Sequence, residues 1–247
     1  MFSSLMMLVA VLAPVPAIIK SIKERITPFR AVLQGLITGA VCALVVMVIG
    51  DLAGSNVFDE LYDSVNLMAE ALANDPNMAA VLGEELTAAE RLDMINQVYS
   101  QSIQMLPYVI FVMATVASYI EYIIISKIYK PGGVAAIPMT KMREFDLPRN
   151  FAFIWLALYV ISLLISSSGI LGNNMLFLNI NYIFDFAFIL QGFSLVFAFC
   201  YYKKLPQVLG VVLIVAVLLT NLGQTVMMMA GFTDLIFGIK YRLKRVA

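Results

Sequence analysis

The chain has 247 residues, of which 62% are apolar and 13% charged, with sixteen basic residues, sixteen acidic residues and no histidine. A soluble domain carries about 45–50% apolar and about 25% charged residues, so this composition excludes one and points to helices that cross a bilayer several times. The missing histidine removes Ser-His-Asp and Cys-His nucleophile systems and His-ligated metals, and nothing in the zero net charge calls for a nucleic-acid partner.

Apolar segments run over Leu5–Ile19, Ala31–Leu52, Leu106–Ser126, Phe151–Leu171, Met175–Tyr202 and Val208–Ile239. Continuous runs of this kind read as spanning helices, whereas barrel strands alternate over about ten residues. The expected fold is all-α: a single polytopic membrane domain over 1–247 with about six spans, the last one broken or re-entrant. The first segment is short, carries Pro14 and Pro16, and lacks a basic leader and a small-residue cleavage site. It reads as a kinked or partial span, not a signal peptide. In the second, Gly35, Gly39 and Ala43 recur every four residues and form a small-residue stripe suited to close internal helix packing. Cys42 and Cys200 lie in separate apolar segments and read as packing residues.

The connection 53–104 holds nine acidic residues and the lone basic Arg91. Apolar and acidic residues alternate at helical spacing over Asp59–Ala73 and Ala79–Gln104, through Leu61, Val65, Leu72 and then Leu82, Leu86, Leu92, Ile95. Thr87 followed by Glu90 forms a capping box, and Pro76 separates the halves. This predicts a helical hairpin, with a lid over an outward cavity as the functional alternative. The other basic residues fall in the connections after the first, third and fifth segments and in the tail from Lys240 to Arg245. Basic connections stay cytoplasmic, so 53–104 faces outward.

The last apolar segment exceeds the roughly 20 residues a crossing needs, and Asn221, Gly223 and Gln224 interrupt its middle. Two short helices that return the tail to the cytoplasm fit this pattern; one long tilted helix with an outward tail is the alternative.

Four short motifs stand out. Phe145-Asp-Leu-Pro-Arg149 opens the fourth segment, Leu190-Gln-Gly-Phe-Ser194 lies within the fifth, and Gly231-Phe-Thr-Asp234 precedes Tyr241-Arg-Leu-Lys-Arg245. In order and spacing these resemble the YybS-like family of bacterial membrane proteins, a family of unknown function. The resemblance implies a multi-pass protein of the bacterial cytoplasmic membrane. It also implies an architecture similar to the substrate-binding subunits of energy-coupling-factor vitamin transporters. Typical family members carry further helices ahead of the region matching Leu5–Ile19.

Polar side chains within spans mark candidate sites because they are costly to bury in lipid. The fifth segment is richest, with Asn179, Asn181, Asp185 and Gln191. Asn181 and Asp185 share a face at i,i+4, while Gln191 lies on a different stripe. Asp185 needs an amide partner or water, and an interhelical hydrogen bond is its structural explanation. Asn221 and Gln224, in the broken last segment, are the natural partners in a ligand site. The candidate ligand-binding set is thus Asn181, Asp185, Gln191, Asn221 and Gln224. Glu121 reads as a residue snorkelling to the cytoplasmic interface, and Asp234 as the N-cap of a final basic helix. Met227–Met229 point in three directions on a helix and so form no shared thioether site. No metal or cofactor is expected. A phosphate-binding GxxxxGK[ST] loop is absent, so any ATP use comes from a partner chain.

The first functional expectation is a small-molecule binding or uptake subunit energised by an ATPase partner. The alternative is a non-transport scaffold or regulatory partner docking a cytoplasmic protein. An enzyme is not expected, since without histidine it would need paired carboxylates and only Asp185 lies deep in a span.

Overall fold

The structure is a computed structural model, and it describes residues 2–54, 57–82, 85–133, 135–167, 175–220 and 222–246. All regular structure among the described residues is helical. The chain divides by internal packing into two units, Met1–Pro138 and Met139–Ala247. Among the described residues, four helical runs are long and apolar enough to cross a membrane: Ser3–Lys23, Pro28–Leu52, Leu106–Ile128 and Met175–Tyr202. Phe151–Ser167 and Gln207–Leu218 are apolar but shorter, so by length the expected six segments supply four full crossings.

The first unit begins with α1 (Phe2–Leu12) and α2 (Pro14–Lys23), one run broken at Ala13. Pro14 has no N–H to give the Ala10 carbonyl one turn back, which accounts for the break. In α3 (Pro28–Leu52), a β-carbon added at Gly39 would fall 2.7 Å from that same Ala10 oxygen. Glycine thus lets the α3 backbone come up against the carbonyl that the proline leaves open. One turn earlier a β-carbon at Gly35 would meet Ser118 Oγ at 2.7 Å, and Ala43 is buried with Met6, Ala10, Leu106 and Ile110. The small-residue stripe is therefore the internal packing face of α3.

After α3 come α4 (Val57–Ala73), α5 (Pro76–Leu82) and α6 (Ala88–Gln104). The antiparallel pair α4 and α6 closes around Ala69, Ala73 and Ile95, with Leu72, Leu92 and Tyr99 against them. The capping box at α6 is complete: Thr87 N–H donates to Glu90 Oε2 at 2.8 Å and Glu90 N–H to Thr87 Oγ1 at 3.3 Å. The Thr87 N–H, and with it the Thr87 hydroxyl donating to Glu90 Oε2 at 2.9 Å, holds the Glu90 carboxyl below its ordinary pKa. Arg91 donates to the carbonyls of Ala73 and Leu86 at 3.1 and 2.7 Å, tying off the C-terminal end of α4. The unit continues into α7 (Leu106–Ile128), which turns Ala114, Ser118 and Tyr122 inward.

In the second unit a short 3-10 turn, Met142–Glu144, leads into α8 (Phe151–Ser167). The long α9 (Met175–Tyr202) follows, then α10 (Gln207–Leu218), α11 (Gly223–Phe237) and α12 (Ile239–Val246). Lys204 takes a positive φ of 56°, and Leu205 N–H bonds back to Cys200 O at 2.8 Å, so the chain reverses sharply after α9. Gly210 of α10 sits against Phe197 and Cys200, and Gly231 and Leu235 of α11 sit against Phe188 and Phe184. Both helices therefore pack along α9. The expected break is present: helix stops at Leu218 and resumes at Gly223. Asn221 itself lies outside the described residues.

The crossing of α9 and α11 is very close. A β-carbon at Gly192 would fall 2.3 Å from Met227 O, and one at Gly231 would fall 1.9 Å from Phe188 O. Only residues without side chains permit this approach. Beside it, Phe151, Trp155, Phe184, Phe188 and Phe232 pack edge to face and tilted, with centroids 4.9–5.8 Å apart for adjacent rings. The three methionines diverge as expected: Met227 is buried, Met228 packs against the aromatic cluster and Met229 is exposed.

Candidate functional site

The glycine contact brings Gln191 on α9 and Asp234 on α11 within reach, and a buried ionic network grows from there. Gln191 is fully buried. Its Nε2 donates to Asp234 Oδ2 at 2.7 Å and to Asp146 Oδ1 at 2.9 Å, and its Oε1 accepts the Leu147 N–H at 3.0 Å. Both amide hydrogens and the carbonyl are thus committed. The segment Phe145–Pro148 has no helical partner for its backbone, and α9 side chains supply that partner instead. Ser194 Oγ donates to Phe145 O at 2.6 Å, and Arg143 lies flat over the Tyr201 ring at 3.7 Å.

Lys240 closes the network from α12. Its ammonium donates to Phe145 O at 2.5 Å and to Ser194 Oγ at 3.1 Å, and it pairs with Asp146 at 3.2 Å and Asp234 at 3.6 Å. One cation therefore serves two carboxylates. Asp234 also accepts the Lys240 N–H through Oδ1 at 2.8 Å. It caps the basic helix as expected, but from inside α11 across the left-handed Gly238 (φ 60°), so Asp234 is not itself the N-cap residue. Tyr241 Oη donates to the remaining Asp146 oxygen, Oδ2, at 2.5 Å.

The electrostatics follow the geometry. Burial pushes the Asp146 carboxyl up, but hydrogen bonds from Tyr241 and Gln191 and the Lys240 charge hold it below its ordinary value. The Tyr241 phenol is held above its ordinary value, first by its hydrogen bond to Asp146 and then by that carboxylate's charge. Gln191, Ser194, Asp234 and Lys240 are buried, whereas the Asp146 side chain keeps 34% exposure. The network is closed inside and open at Asp146 and Tyr241. No group of three His, Cys, Asp or Glu side chains placed to hold a metal occurs among the described residues.

Of the candidate ligand set, only Gln191 joins this network. Asn181 donates to Phe177 O one turn back at 2.9 Å. Asp185, half-buried on α9, makes no hydrogen bond or ion pair among the described residues. Gln224 is exposed on the first turn of α11, and Asn221 is outside the described residues. Asn179 donates to Met175 O at 2.7 Å. Glu121 differs from the snorkelling expectation, since its Oε2 is buried without a hydrogen-bond partner among the described residues. Sequence reasoning missed Asp146 and Lys240 as site residues, although each lies in or next to a motif it had singled out. The four motifs converge on one place.

These features describe a helical membrane protein whose second unit is organised around a buried ion-pair network. The chain belongs to the family described as predicted membrane protein (DUF2232), whose model matches residues 1–235. It is similar to the uncharacterized protein YybS of Bacillus subtilis (strain 168), with 21% identity over 229 residues, covering 90% of this chain and 71% of that protein. No solved structure matches.

Proposed function

We propose that this chain is a non-enzymatic, multi-pass binding subunit of the bacterial cytoplasmic membrane that takes up a small molecule with an ATPase supplied by a partner. The observation that carries this reading is the contrast between carboxylates within the second unit. Asp146 and Asp234 have hydrogen-bond donors and a shared lysine, whereas Asp185, on the same α9 that supplies Gln191, has neither. An unpaired carboxylate on a spanning helix is costly and is retained where an ion, a ligand or another subunit answers it. Asn181, one turn before it on the same face, offers a second polar contact. The ligand class is accordingly cationic.

In this reading 53–104 faces outward, and both the 139–149 connection and the tail face the cytoplasm, with 208–239 forming a broken, re-entrant segment. What supports the tail's side is that Lys240 touches Phe145 and Asp146, so no bilayer intervenes between α12 and that basic connection.

Asp185→Asn tests the proposal. Binding of the copurifying ligand should fall at least tenfold while expression and thermal stability in detergent stay at wild type. Asp185→Leu, run beside it, should lose binding as well without loss of stability, because the carboxyl has no hydrogen-bond or ion-pair partner among the described residues. Wild-type binding by Asp185→Asn refutes the cationic site. A scaffold reading is favoured by one observation, the fixed and exposed basic face of α12. A cytoplasmic protein that copurifies in the absence of any small molecule or ATPase would decide for it.

A further inference from the structure

We infer that the exposed face of α12 is a docking surface for anionic phospholipid headgroups of the bilayer in which the protein sits. The network divides the basic residues of this region into two kinds. Lys240 points inward and is consumed by Asp146, Asp234, Ser194 and Phe145, which fixes the rotation of α12 about its axis. Arg242, Lys244 and Arg245 are left exposed, and none has a carboxylate partner among the described residues. Tyr241, on the same helix, is 51% exposed with its hydroxyl held by Asp146. Arg149, also exposed, lies 5.9 Å from the centre of the Tyr241 ring. Just ahead, Ile236 and Phe237 at the end of α11 are 53% and 58% exposed.

Three exposed cations on α12, with an exposed aromatic residue beside Arg149 and exposed apolar side chains just ahead, match the boundary between headgroup and acyl chain. A soluble acidic partner would answer the charges but leave Ile236, Phe237 and the Tyr241 ring in water. A lipid surface answers both, which favours the lipid. Each Lys or Arg near an anionic surface contributes about 1 kcal/mol, so the three together correspond to roughly a hundredfold preference for anionic over zwitterionic lipid. The surface is independent of Asp185 and stands or falls without the uptake reading.

The test uses the full chain in nanodiscs assembled from equal parts of phosphatidylglycerol and phosphatidylcholine. After extraction into mild detergent, the lipids still bound are counted by native mass spectrometry. The wild type should retain phosphatidylglycerol in at least tenfold excess, an excess that shrinks with added salt. The variant R242Q/K244Q/R245Q should retain the two lipids nearly equally while unfolding at the wild-type temperature, because none of these side chains has a partner in the fold. Adding inorganic phosphate to the wild type should not displace the bound phosphatidylglycerol. Equal retention by the wild type, an undiminished excess in the variant, or displacement by phosphate alone would overturn the inference.

Discussion

In the first unit Gly35 and Gly39 bring α3 against α2, α1 and α7, and in the second Gly192 and Gly231 bring α9 against α11. The device is the same, but the surroundings are opposite. Around the first contact lie Ala10, Ala43, Ala114 and Ser118, buried and almost wholly apolar. Around the second lie Gln191, Asp234 and Lys240, buried and ionic. Over the whole sequence Met1–Pro138 carries seven basic and twelve acidic residues, most of the acidic ones in 53–104, while Met139–Ala247 carries nine basic and four acidic. A small-residue contact is therefore sufficient by itself to close helices. Where charges are set beside it, every member must find its partner, because an unpaired buried charge destabilises more than a matched pair stabilises.

The sharpest way to break this contrast is Lys240→Met. It leaves Asp146 and Asp234 facing each other without a cation and should destabilise the second unit by about 3–5 kcal/mol. Hydrogen exchange should rise in 142–147, α11 and α12 and stay unchanged in α1 to α7. Uniform protection in both units would mean that the network does not hold the second one together.

Next in size come the glycines. Gly231→Ala places a methyl against backbone on α9 and should lower stability by about 1–3 kcal/mol through forced separation of the helices. Gly39→Ala has more room, 2.7 Å against 1.9 Å to the nearest carbonyl oxygen, and should shift thermal unfolding less. An equal shift would place the two contacts on the same footing.

Acid separates the units further. Because the Asp146 carboxyl is held below its ordinary value, its contribution is fully present above that value and is lost as pH falls through the lower, folded one. Exchange in α12 should therefore accelerate below about pH 4, and Asp146→Asn should flatten that dependence. The smallest expected effect lies in the first unit. Ser118 Oγ is buried without a hydrogen-bond partner among the described residues, so Ser118→Ala should be neutral or stabilise by up to about 1 kcal/mol. A clear loss in thermal unfolding would reveal a polar function there.

The apolar periodicity carried most of the fold. The broken first run at Pro14, the stripe of Gly35, Gly39 and Ala43, the hairpin with its Thr87–Glu90 cap and the interruption near Gly223 all follow from short-range rules that a linear reading can apply. The site did not. Gln191 stood out as an amide within a span, but a linear reading only groups it with other intramembrane polar residues such as Asp185, on a different stripe, and Gln224. Its actual partner Asp146 lies in a connection, where a charge is ordinarily read as topology, and Tyr241 reaches Asp146 from 95 residues away. The sign that could have found the network was the cluster of Gly with a polar neighbour, Gln191-Gly192 and Gly231 with Asp234. Two backbones that touch carry their adjacent side chains into contact as well.

The position of Lys240 in the chain also sets an order of assembly. Asp146, Gln191, Ser194 and Asp234 are all synthesised before it, and Tyr241, which covers the open side of Asp146, comes immediately after. A nascent chain that has reached only Gly238 holds two carboxylates and an amide with no cation to join them, so the second unit cannot close while that stretch is being inserted. The final locking step belongs to the end of synthesis of this region. Completion of α12 is the event that brings both carboxylates under one cation.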